Sequence, residues 1–215
     1  MNDTLTGTGW HFDADTGLTT RNPTVMVDGP TPLYEVLALP DDLLRRAIAV
    51  HEAGHVAVML YFELPFERVA ISDDLGKDQS RPGGAGEVTI SRDFSAPLYD
   101  ALVMLAAGER AQDRWLHEAD LWTGTRGWAA EAGALGDRGE ISRIVHEEFG
   151  EEVTYGTGDD PCRDLAALHD RTDALLDLLW SGVAALADAL TQHGQLNWEQ
   201  AAAAARFSLE RGWQR

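Results

Sequence analysis

Residues 43–62 are strongly apolar, yet they carry two histidines and a glutamate in His51-Glu52-Ala53-Gly54-His55. Pro40-Asp41-Asp42 ahead of them is a helix start, with acidic groups near the positive end of the helix dipole. Leu44, Ala47, Ile48, Val56, Val58 and Met59 then predict a long, mostly buried helix that ends near Phe62, before Pro65. Two imidazoles and a carboxylate are costly to bury in such a helix unless they are paired or bind a metal. The fold must therefore bring something to them.

Residues four apart on a helix differ by about 40° in azimuth and about 6 Å in height, so His51 and His55 can share one zinc ion. Glu52 lies about 100° around from His51 and flanks the metal position, where a carboxylate can accept a proton from an activated water and return it to a leaving amine. With 7 histidines in 215 residues, the number of HExxH matches expected by chance is on the order of a few hundredths, which favours the metal reading. Gly54 inside the helix costs about 1 kcal/mol relative to alanine, and predicts that something packs closely on the backbone there.

Other histidines carry less. His117-Glu118-Ala119-Asp120-Leu121 has leucine where the second histidine should stand, and His146, His169 and His193 are isolated on predicted helices. None is assigned a metal role. Cys162 is the single cysteine, which excludes an intrachain disulfide and a thiolate zinc cluster within one chain. Any metal must be held by histidine and carboxylate.

The net charge of −19, from 17 basic and 36 acidic residues, repels phosphate backbones and anionic lipid, so neither nucleic acid nor a membrane surface is expected as a partner. The two long apolar runs, 47–62 and 175–190, are broken by charged residues and predict no membrane span, and Met1-Asn2-Asp3-Thr4-Leu5 does not read as a signal peptide. A cytoplasmic location is the default expectation.

Residues 1–40, punctuated by Pro23, Pro30, Pro32 and Pro40, lack a sustained period and are expected to form an irregular arm, with a short strand at 24–27 or a helical turn at 34–39. Residues 41–215 are expected to form the catalytic unit. Within it, residues 68–72 and 86–90 predict a small antiparallel strand pair beside the zinc helix. Helices are predicted over 97–116, 137–149, 165–192 and 197–205, with 120–135 as a loop or broken helix. The class is mainly α (α+β).

The motif with Val56-Ala57 after it closely resembles the peptidase domain of the FtsH family of ATP-dependent zinc metalloproteases. The resemblance continues through Gly84-Ala85-Gly86-Glu87-Val88-Thr89, Leu105-Ala106-Ala107-Gly108-Glu109-Arg110-Ala111 and Gly133-Ala134-Leu135-Gly136-Asp137. It extends to Gly194-Gln195-Leu196-Asn197 and covers roughly residues 41 to 205. It implies a zincin-like helical metallopeptidase domain whose third zinc ligand, from the Gly-Ala-x-x-Asp segment, is Asp137. Glu131, Glu140 and Glu109 stay open as alternatives, and an Asp beside Gly can also be a plain helix cap. Two departures stand out: Ala107-Gly108-Glu109-Arg110 permutes the usual glycine-arginine sequence, and residues 116–130 form a longer tryptophan-containing segment than the resemblance predicts.

No Gly-rich Walker loop occurs, so the expected activity is an ATP-independent zinc endopeptidase with His51, His55 and Asp137 as ligands and Glu52 as base, acting on peptides or flexible protein segments. A separate ATPase partner is the expected route to folded substrates. The strand at 86–90, as an edge, could pair with an extended peptide, with 77–84 as a lid. Two other readings stay open: a zinc hydrolase for a non-peptide small molecule, favoured by a closed pocket with Trp122 or Trp128, and an inactive zinc-binding interaction module.

Overall fold

The apolar stretch folds as one helix, α2 (Asp41–Phe62), in a computed structural model that describes all residues except 1–2, 5–7, 15, 23–30, 78–84, 93 and 210–215. Asp41 and Asp42 occupy its first turn, and Glu63 closes it in the left-handed region at φ 58°. Helix α2 packs against α3 (Leu98–Glu118) and α6 (Leu165–His193), so Ala47, Val50, Ala53, Val56, Val58 and Met59 are sealed.

At the crossing of α2 and α3 the backbones touch. A Cβ on Gly54 would stand 2.4 Å from the Ala107 carbonyl oxygen and 2.8 Å from the Ala111 Cβ. The close approach read from Gly54 is present, and small residues on both helices make it possible.

Strands β4 (Phe66–Ile71) and β5 (Gly86–Ile90) pair antiparallel as expected, with Val69 opposite Val88. The pair is in fact three-stranded, ordered β5-β4-β6, because β6 (Gln195–Asn197) adds to the other side of β4. Gly194 at φ 75° ends α6 and turns the chain back, its carbonyl accepting from the Ile71 N–H at 2.8 Å. Leu196 points into the core between exposed Gln195 and Asn197, an alternation too short to read as a strand in isolation. Helix α7 (Trp198–Leu209) follows.

Among the described residues of the first forty, regular elements are present that an irregular arm does not predict. Strands β1 (Asp3–Thr4), β2 (His11–Asp13) and β3 (Leu18–Thr20) form an antiparallel meander, and α1 (Leu33–Leu37) matches the expected turn of helix. Trp10 and Leu18 are 1% exposed and belong to the same core as α2. The strand expected at 24–27 lies outside the described residues.

The segment expected as a loop or broken helix contains a helix, α4 (Gly124–Gly133). Its glycines weaken it intrinsically. The Thr123 hydroxyl, accepting from the Arg126 N–H at 3.2 Å, and burial of Trp128, Ala129 and Ala132 hold it in place. Ala134 separates it from α5 (Leu135–Phe149).

Helix α6 is a single helix of 29 residues, started by the Asp164 carboxylate accepting from the Ala167 N–H. By length and composition it could cross a membrane, with a mean hydropathy of 1.5 over its most apolar stretch, contrary to the sequence expectation. In this fold Leu168, Leu176, Val183, Leu186 and Leu190 are buried in the core, so much of that hydropathy serves packing against α2, α3 and α7.

Candidate metal centre

His51 and His55 leave α2 on one face, and their Nε2 atoms lie 3.2 Å apart. Asp137 Oδ2 stands 3.4 Å from the first and 3.5 Å from the second. Three donor atoms on a tetrahedral ion with bonds of 2.0–2.1 Å are separated by about 3.3 Å, so this triangle has the dimensions of a metal site. The residues expected as ligands are brought together, and the trio can hold a metal ion.

Asp137 sits in the first turn of α5, after Ala134 at the cap position. It is not the cap residue. Its carboxylate is directed to the two imidazoles, while the start of the helix favours its negative charge.

The imidazoles are oriented from behind. His55 Nδ1 donates to the Met104 carbonyl at 2.7 Å, and His51 Nδ1 faces Gln112 Oε1 at 3.2 Å. Because these acceptors claim the Nδ1 hydrogens, it is the two Nε2 atoms that converge beside the carboxylate, an arrangement typical of metal-binding histidines. Burial works against protonation of His55, but the neighbouring Asp137 charge outweighs it and pushes the pKa up to about 9. Burial also raises Asp137, yet the two histidines hold it well below the usual carboxylate range. The site attracts positive charge.

Met104, Gly108 and Gln112 are spaced by four along α3 and present one stripe to the histidines. A Cβ on Gly108 would lie 2.3 Å from His55 Nε2 and 2.6 Å from His51 Nε2. Only glycine leaves room for the donor atoms and anything bound to them. Sequence reasoning noted residues 107–110 as a departure and missed Gly108 and Gln112 as parts of the centre; their four-residue spacing was the available signal.

Glu52 is buried at 6% exposure, and a Cβ on Gly86 of β5 would come within 2.5 Å of its Oε1. Burial raises its carboxyl pKa, against the lowering effect of His51 and His55 and with help from Asp137 and Glu87. A carboxylate tuned upward beside this histidine pair is suited to taking up and releasing a proton.

The alternative third ligands are engaged elsewhere. Glu109 is paired with Arg138, Glu131 accepts from the Thr20 hydroxyl and the Arg21 N–H, and half-buried Glu140 pairs with Arg143. His117 stacks on Trp122, His146 and His193 are exposed, and buried His169 contacts Arg21 through Nδ1. Among the described residues the trio of His51, His55 and Asp137 is the one group able to hold a metal.

The centre opens into a cleft of about 580 Å³. Helix α1 lines it through Leu33, Tyr34 and Leu37, and β5 lines it through Gly86, Glu87 and Val88. Trp122 instead borders a separate 140 Å³ hollow, and Trp128 is buried in the core. Lys77 pairs with Asp41 at 2.6 Å, and the rest of the 77–84 segment lies outside the described residues. Compared with known proteins, the chain matches no family model and no curated sequence. Its chemistry must be read from the centre itself.

Proposed function

We propose that the chain is a zinc-dependent metallopeptidase with an FtsH-type active centre, in which His51, His55 and Asp137 hold the metal and Glu52 is the general base. The observation that carries this reading is the triangle of donor atoms, 3.2, 3.4 and 3.5 Å on its sides, with the buried carboxylate of Glu52 on the residue next to His51. Two imidazoles, which give up any Nε2 proton on binding metal, and one carboxylate are a donor set that suits zinc. Zinc bound there would supply Lewis acidity, acidifying a water and polarising a carbonyl.

The residues divide the remaining work. Gln112 and Met104 fix the imidazole orientations, and Gly108 keeps the space before them clear. Glu52 takes the proton of the attacking water and passes it to the leaving amine, which its raised pKa favours. An extended peptide is the substrate class best matched to the cleft, because β5, which pairs with β4 alone among the described residues, lines it. The absence of both tryptophans from that lining removes the feature that would have favoured a closed small-molecule pocket.

Turnover needs no ATP in this reading, and folded substrates would depend on a separate ATPase. The test is cleavage of a mixed library of unstructured peptides by zinc-loaded protein, beside Glu52→Gln. Cleavage by the wild type that disappears in a zinc-retaining Glu52→Gln variant supports the proposal; equal cleavage by both removes Glu52 from its role.

A further inference from the structure

Two consecutive residues on each of two helices divide their tasks between the centre and a buried ion pair. On α3, Gly108 faces the histidines and Glu109 points away from them; on α5, Asp137 faces the histidines and Arg138 points away. Glu109 and Arg138 meet in a bidentate pair, with Nε donating to Oε2 at 2.6 Å and Nη2 donating to Oε1 at 2.7 Å. Glu109 is 2% exposed and Arg138 8%.

The pair is tied to the rest of the fold as well. Arg138 Nη1 donates to the Thr19 carbonyl of β3 at 2.6 Å, and its guanidinium lies 5.7 Å from the centre of the Trp10 ring. His169 accepts from Arg21 at Nδ1, so its Nε2 carries hydrogen and faces Glu109 Oε1 at 3.7 Å. That distance is too long for a hydrogen bond, and Nε2 of His169 has no hydrogen-bond partner among the described residues.

From this arrangement we infer that Arg138 and Glu109 are positioning residues for the metal centre, setting the distance and rotation of α5 against α3 so that Asp137 meets the histidines of α2. This inference rests on the metal reading above and adds to it a second tier of support that includes the N-terminal meander. Asp137 is the ligand that α2 does not supply, so its place depends on how α5 is held. A planar fork gripping both carboxylate oxygens fixes angle as well as distance, which a single ammonium contact cannot do. Burial of the pair makes its geometry exacting, since a charge left alone there is strongly unfavourable.

Arg138→Lys keeps the charge and loses the fork. The double variant Glu109→Gln/Arg138→Gln removes both charges of the pair and leaves buried Glu131, 3.8 Å from Arg138 in the wild type, to its hydrogen bonds from Thr20 and Arg21. Titration of metal-free protein with Co2+ reads affinity, and the visible absorption of the bound ion reads its coordination; thermal unfolding of the metal-free protein reads stability separately. The expected result is an affinity about 10–100-fold weaker in both variants, with an altered Co2+ spectrum in each, in metal-free proteins that still unfold in one cooperative transition above the titration temperature. Wild-type affinity and spectrum in both variants would overturn the positioning role while leaving the metal centre intact. A wild-type protein that takes up no Co2+ would overturn the metal centre and the positioning role together.

Discussion

Gly108 on α3 and His55 on α2 approach so closely that a single methyl group on the glycine would stand 2.3 Å from the histidine Nε2. That methyl would occupy the ground on which His51, His55 and Asp137 converge. Replacing Gly108 by alanine improves intrinsic helix propensity by about 1 kcal/mol, so α3 itself is not weakened. Gly108→Ala should therefore leave the helical circular dichroism intact and abolish metal binding, a loss greater than the roughly 10–100-fold typical of outer-shell changes. Isothermal titration with zinc measures it, and tight binding by the variant would show that the donor atoms do not converge as described.

In the proposed centre Gln112 would act through His51 and not on the metal directly. Gln112→Leu removes the acceptor at 3.2 Å from His51 Nδ1 and frees the imidazole to choose its other tautomer. The expected effect is a drop in zinc affinity of about 10-fold or more, while Gln112→Glu, which keeps an acceptor, binds zinc at least as well as wild type. Competition with a chromophoric chelator ranks the three proteins. Equal affinity for wild type and Gln112→Leu would separate Gln112 from the centre.

Glu52→Gln keeps the size of the side chain and removes its basicity. Zinc content should remain at wild-type level, and peptide cleavage should fall by about 10²–10⁴-fold. A peptide assay on protein whose metal content has been measured in the same sample checks both halves. The unchanged metal content matters as much as the lost rate, because Glu52 flanks the trio and contributes no donor to it.

Acid should weaken the fold through Glu109. Burial raises its carboxyl pKa, but Arg138, with His169 and Arg110, more than compensates and holds it at about 2. A folded-state pKa below the unfolded value means stability that is fully present above about pH 4.5 and lost progressively as pH falls toward 2. Denaturant unfolding of wild type and Glu109→Gln/Arg138→Gln across pH 3 to 7 isolates this contribution. Wild-type stability relative to the double variant should be constant above pH 5 and decline below it; a difference that stays flat to pH 3 would contradict the assignment.

The parts of the fold that were legible in the sequence are the long ones with internal period. Helix α2 begins and ends within a residue of its expected bounds because a proline with two aspartates opens it and Pro65 follows it. Strand β5 matches its expected range and α6 runs one residue beyond it for the same kind of reason. The meander near Trp10 and strand β6 were not legible, since two or three residues cannot display an alternation and their pairing partners are distant in sequence. Helix α4 was hidden by its glycines and is held by a cap and by buried Trp128.

At the centre, two candidate ligands followed from spacing alone, and Asp137 came from the resemblance of its Gly-Ala-x-x-Asp segment; the fold places it beside them. Gln112 and Gly108 escaped because their role depends on how α3 crosses α2, a fact of tertiary packing. Arg138 escaped for a related reason: its partner Glu109 lies 29 residues away and also looked like a candidate ligand.

Metal stoichiometry tests the central claim most directly. Protein purified without chelators, compared with His51→Ala and Asp137→Ala, is measured for bound metals by elemental analysis. One zinc per chain in the wild type, lost in His51→Ala and diminished in Asp137→Ala, is the predicted result. Wild-type protein that holds no stoichiometric metal and takes up none from excess zinc would contradict it.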